Sequence, residues 1–309
     1  MANQFPDKDT ELINIPISWE VEISLDQKAA FTELLRALNI YIDPGNRLEK
    51  VRIIADDALS STIQSLTGRP YQLGQYTPPG VAIGVKKENT FSSTILIRQA
   101  FFTSEPLQQI STLVEELYHC QLYHQAWQRR GDRDRQNADL YSNDLFVTCE
   151  KMHDEYAVAR LKNTFFGEQF SFRNPQGQLV PFFIEYGETL SKFFDQAKDQ
   201  IHTDTILRFA PSERKDIMLP FTYRFIFEPL ARHAGFLTPI ILQFPLRMPD
   251  NVPEANAFYR EVIAPYWIPI KNALELSFDS QFCEIEAALR TITQTMDACL
   301  DRLQQEYEI

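Results

Sequence analysis

Histidine, cysteine and glycine are all scarce in this chain: five, four and ten residues in 309. The few glycines form no P-loop and no Rossmann fingerprint, and no GxSxG elbow is present, so the common phosphate-cradling loops and the serine-hydrolase turn are excluded. Cys120, Cys149, Cys283 and Cys299 make no CxxC pair and no disulfide-dense pattern, which predicts reduced thiols. Positive charge is also short. Against 30 Lys and Arg stand 42 Asp and Glu, a net charge of −12 that repels phosphate backbones and anionic lipid. No nucleic acid and no membrane partner is therefore expected. No apolar run approaches the ~20 residues that span a bilayer. The longest, residues 236–246, is broken by Pro239 and Pro245. The first residues lack the basic and apolar regions of a secretory signal, and the expected location is cytoplasmic.

What is present is an ordinary globular composition, 44% hydrophobic and 23% charged, with 23 Phe for aromatic packing. Residues 11–25 alternate apolar and polar, a strand pattern interrupted at Pro16. A helix capped by Asp26 is predicted to about Asn39, then a strand at 51–55 and a helix at 56–68 with an Asp cap and a Gly stop. GVAIGV (80–85) and STILIRQA (93–100) read as strands. Long helices are predicted over 104–129 and about 137–164, joined by the polar loop RRGDRDRQN, read as a solvated connector. The remainder reads as helices near 181–201, 211–234, 254–276 (interrupted at Pro265 and Pro269) and 279–308, with no internal repeat. In the last of these, Ile285, Leu289, Ile292, Met296, Cys299 and Leu303 form a seam read as a core face. The fold class is α+β: an N-terminal strand and helix region (1–48), a sheet-plus-helix unit (49–168) and a largely helical C-terminal region (169–309).

Three of the five histidines, His119, His124 and His153, cluster within 35 residues. In Leu113-Val114-Glu115-Glu116-Leu117-Tyr118-His119, Glu115 and His119 are i and i+4 on one helix face, a spacing at which two donors chelate one metal ion. Glu116 lies one step around, within reach of water on such an ion. The next long helix adds Glu150, His153, Asp154 and Glu155, followed by Tyr156. His124 falls off the ligand face, and Cys120 reads as buried packing. Tyr156, Tyr223 and His233 are candidate oxyanion donors that nothing in the sequence separates.

A strand, a helix with two ligands and a carboxylate, then a helix with a further Glu resembles the order of parts in gluzincin metallopeptidases, more closely the ImmA/IrrE-like group. LVEELYH matches all but one position of the family helix, and Asp154-Glu155-Tyr156-Ala157-Val158-Ala159 matches the later helix more loosely. The likeness covers residues 50–165. It implies a zincin-like unit, zinc or another divalent metal on His119 and Glu155, and Glu116 as general base, with His153, Glu150 and Tyr156 around them. STILI would then pair with an extended substrate. Glu115 stands where the family has its first histidine. As a ligand it would add negative charge, weaken the ion's Lewis acidity and favour manganese or iron.

Three functions follow as expectations. One is a metal-dependent peptidase with an atypical EExxH…E site acting on a peptide or protein substrate. Another is a catalytically inactive zincin-fold module that binds a protein partner or regulates. The third is a di-iron carboxylate protein using Glu116-x-x-His119 and Glu150-x-x-His153, with Glu185 or Glu188 as a further donor.

Overall fold

The structure, a computed structural model, describes residues 15–44, 48–68, 77–87, 90–130, 145–169, 194–195, 211–243, 256–279 and 282–306. It is a mixed α+β, mostly helical chain with one small mixed sheet, and its contacts divide it into two units, Met1–Leu140 and Tyr141–Ile309. The polar loop at 129–137, the predicted helix at 181–201 apart from residues 194–195, and Glu185 and Glu188 lie outside the described residues.

The first unit holds a four-stranded sheet in the order β1 (Ile17–Trp19), β2 (Leu48–Ile54), β4 (Thr90–Arg98), β3 (Gly80–Lys87). β1, β2 and β4 run parallel, and β3 closes the sheet antiparallel to β4. The two inner strands are the most deeply covered: Val51, Ile53, Ile95, Leu96 and Ile97 are fully buried. Of the strand expected over 11–25, only Ile17–Trp19 pairs among the described residues, just after Pro16.

α1 (Leu25–Tyr41) starts one residue before Asp26 because Ser24 is the cap, its hydroxyl accepting from the Gln27 amide at 3.2 Å. Phe31 on α1 packs edge-on against Trp19 (5.8 Å) and Phe101 (5.6 Å), fixing that helix to the sheet end. α2 (Leu59–Thr67) stops at Gly68, whose φ of +73° is open to glycine without strain. Its cap is Ala58 rather than Asp56, whose side chain accepts from the Ala100 amide instead. α3 (Pro106–Arg130) buries Leu113, Val114 and Leu117 completely.

The second unit is helical: α4 (Leu145–Gln169), α5 (Pro211–Thr222), α6 (Glu228–Gln243), α7 (Ala264–Asp279) and α8 (Phe282–Glu306). The α8 seam is a core face, with Ile292, Met296, Cys299 and Leu303 fully buried against Met152, Tyr156 and Trp267 of the same cluster. At Gly235 of α6 a Cβ would meet the Tyr156 carbonyl oxygen and come within 2.9 Å of Ala159 Cβ, so glycine is what lets α6 close on α4.

Two π turns, Tyr223–Phe227 and Tyr259–Ile263, interrupt this unit. Each ends with an i→i+5 bond: the Glu228 amide donates to Tyr223 O and the Ala264 amide to Tyr259 O. Each is also followed, one residue on, by proline: Pro229 after Glu228 and Pro265 after Ala264. The segments read Tyr-Arg-x-x-apolar-x-Pro both times, a short recurrence in a chain expected to have no repeat. A proline ring clashes with the carbonyl four residues back, here Phe225 and Glu261, and the wider turn moves that carbonyl aside. The helix expected unbroken over 211–234 is therefore split, and Pro269 sits inside α7.

Candidate functional site

On α3, Glu115 is half-buried, whereas Glu116 and His119 are buried at 7% exposure each. The helix comes close to the sheet edge at Gly80 of β3, where a Cβ would lie 2.8 Å from Thr112 Cγ2 and 3.4 Å from Glu116 Cγ. That approach lets Glu116 Oε2 accept a hydrogen bond from the Ala82 amide at 2.5 Å. Arg98 donates its amide to Pro79 O, so β3 residues of odd number face β4 and the amides of Gly80, Ala82, Gly84 and Lys86 face the free edge. Glu116 thus closes one amide of that edge, which is how sheets discourage unwanted strand addition.

STILI, expected to receive a substrate strand, lies within β4 and has β2 on one side and β3 on the other. Both of its edges are used; among the described residues the sheet ends on this side at β3.

His119 stacks at a tilt on Tyr123 (5.9 Å between ring centroids), and among the described residues its Nδ1 has no hydrogen-bond partner. The neighbouring Cys120 is buried as expected, and burial pushes its thiol up to about 12 against a hydrogen bond with Ser93.

The remaining sequence-predicted residues lie on α4, in the second unit. Glu155 Oε2 is 2.7 Å from Arg232 Nη2 of α6, and Arg232 Nε is 3.4 Å from Glu228 Oε1. One guanidinium therefore serves two carboxylates along the α4–α6 seam. Lys151, Arg224, Asp154 and Tyr223 complete this charged group. Glu150 is buried; His153 is buried with Nδ1 3.5 Å from Asp154 Oδ1, and its Nε2 has no hydrogen-bond partner among the described residues. Tyr156 is fully buried and accepts from Arg160 Nη1 at 3.2 Å, while that guanidinium lies 4.1 Å from the Phe278 ring centroid. Burial against Lys271 lowers His233 to about 4, so it is a neutral imidazole near pH 7. Burial, with Glu228 and Glu155 nearby, holds the Tyr223 phenol well above its ordinary value.

These surroundings bear on the implied metal. Among the described residues, no group of three or more His, Cys, Asp or Glu side chains is arranged to hold a metal ion. Glu155 is matched by a guanidinium, and Glu116 by a backbone amide. An ion on Glu155 would compete with Arg232 for that carboxylate, and one on Glu116 with the Ala82 amide. Arg232, Glu228, Lys151 and Arg224 are the members of this charged group that sequence spacing missed. The only sequence signal of the first two was an i, i+4 pair, common on helix surfaces.

Among the described residues no helix is long and apolar enough to cross a membrane. No protein-family model, curated protein or solved structure matches the chain.

Proposed function

We propose that this chain is a non-catalytic protein with a zincin-like first half, acting as a protein-binding or regulatory module rather than as a peptidase. The observation that carries the reading is the employment of the two carboxylates hydrolysis would need. Glu116 is bound to the Ala82 amide and Glu155 to Arg232. A general base must be free to take a proton from water, and a metal ligand must keep a lone pair for the ion. In each carboxylate Oε2 already serves a structural amide or a guanidinium, which competes with either role. The acidic net charge of −12 favours a protein partner with a basic surface.

The test is metal content and peptidase activity of the full chain, purified without chelator and then titrated with zinc and manganese. The expected result is trace metal, no stoichiometric uptake, no cleavage of unstructured protein substrates, and a melting temperature unmoved by EDTA. Stoichiometric metal with cleavage that disappears in Glu116→Gln would overturn the reading and restore the EExxH…E peptidase.

A further inference from the structure

We infer that the outer face of α7 is a self-association surface: two copies of this chain pair antiparallel through it, about a two-fold axis at Asn272.

α7 turns Ile270, Ala273, Leu274 and Ser277 inward, where all four are buried. The opposite side of such a helix is polar when water alone covers it. Here it is not. Ile268 is 56% exposed and Leu276 69%, and they are the two large hydrophobics left exposed among the described residues of the second unit. Ile268, Asn272 and Leu276 follow one another at i+4 steps, so they share a face. Pro265 and Pro269, both exposed, sit beside them. A contiguous apolar patch with a polar rim is the mark of a docking surface, which isolated exposed side chains are not.

The symmetry of the patch selects its occupant. Ile268 and Leu276 are equally spaced on either side of Asn272. A two-fold axis at Asn272 therefore sets Ile268 of each copy against Leu276 of the other. On the axis, each Asn272 amide meets its twin; an amide is donor and acceptor at once, so the two satisfy each other. Along the rim, Lys271 Nζ lies 3.5 Å from Glu275 Oε1 within one helix. An antiparallel copy brings its Glu275 to Lys271 and its Lys271 to Glu275, so both cross-pairs are favourable. One charge of each sign gives a strongly basic or acidic partner little to select. The net charge of −12 repels copies at long range, but at about 0.15 M salt that field is screened beyond about 8 Å. A contact through one helix face buries on the order of 1,000 Å² in total, the low end for a specific interface, so the dimer is weak and reversible. This surface is independent of whether the first unit binds metal or a partner.

Sedimentation velocity of the full chain at that salt, from about 1 to about 200 µM, tests it. The sedimentation coefficient should rise from the monomer value toward the dimer value across that range. Leu276→Glu should weaken association at least about tenfold and leave the melting temperature in place, because that side chain is already exposed. Lys271→Glu should also weaken it, and the double variant Lys271→Glu, Glu275→Lys should restore it. Cross-linking fixes the axis: under mild oxidation Asn272→Cys should form a disulfide-linked dimer absent from the wild type, and Leu276→Cys should not. A monomer throughout, a dimer indifferent to Leu276→Glu, a charge swap that fails to restore association, or cross-linking at 276 in place of 272 overturns the inference.

Discussion

The guanidinium of Arg232 on α6 stands 2.7 Å from the carboxylate of Glu155 on α4, a residue that the sequence offered as a metal ligand. An acidic cluster needs a cation; here α6 supplies one to α4 from within the chain. Replacing Arg232 by Met should destabilise the second unit by about 2 kcal/mol, below the usual cost of breaking a buried pair because Arg232 remains 31% exposed. The double variant Arg232→Met, Glu155→Leu should recover most of that loss. Urea midpoints at constant slope measure both; a double variant weaker than the single one would mean that packing, not charge, dominates.

Glu116 should behave as a structural acceptor. Glu116→Ala leaves the Ala82 amide without its carboxylate and should cost on the order of 1–3 kcal/mol, whereas Glu116→Gln keeps a carbonyl oxygen and should cost less than half as much. Chemical denaturation of the two variants separates them; equal losses would point to the charge instead of the hydrogen bond.

Gly80 and Gly235 both sit under close neighbours, but the neighbours differ. At Gly80 a new methyl meets the movable tips of Thr112 and Ile97, at 2.8 and 2.9 Å. At Gly235 it meets the Tyr156 carbonyl, which is fixed in α4. Gly235→Ala should therefore cost about 3 kcal/mol and Gly80→Ala about 1 kcal/mol. Thermal unfolding checks the order, and a reversal would show α4 to be the softer element.

His233 gives the acid limb of stability its direction. Its pKa falls from 6.5 to about 4 on folding, so the unfolded chain binds more protons between those values. Stability contributed by neutral His233 is complete above the unfolded value and lost as pH falls from about 6.5 through about 4. Glu228 acts oppositely, its stabilising neutral form giving way as pH rises from 4.5 through about 7. His233→Gln should flatten the acid side of a stability–pH profile while leaving the neutral side in place. An unchanged acid limb would remove His233 from that role.

Burial pushes the Cys120 and Cys299 thiols to about 12, so neither should react with a thiol reagent in the folded chain near neutral pH. Both should label once denaturant is added. Labelling of native Cys120 would show α3 to open locally.

Much of the local structure was legible because it follows from short-range physics. The period-3.6 face of Leu113, Val114 and Leu117, the β-rich runs at 51–54 and 93–97 and the Gly68 stop each need only a few neighbouring residues to decide them. The α8 seam was readable for the same reason, since its apolar spacing does not depend on which helix covers it. Caps were less readable where two candidates stand close together, as Ser24 does beside Asp26; only backbone geometry decides which side chain reaches an amide. The π turns escaped because proline spacing announces an interrupted helix without saying how it is interrupted.

By itself the sequence determined the α+β class, the helices that carry Glu115, Glu116, His119 and Glu155, and the local excess of negative charge around them. Tertiary structure alone decided what neutralises that charge. Spacing along one helix tells which side chains share a face, but not which group from a distant helix or strand arrives opposite them. Ala82 reaches Glu116 because strand β3 lies at the sheet edge, and Arg232 reaches Glu155 because Gly235 lets α6 close on α4. Those long-range approaches turned residues with the spacing of ligands into partners of an amide and a guanidinium.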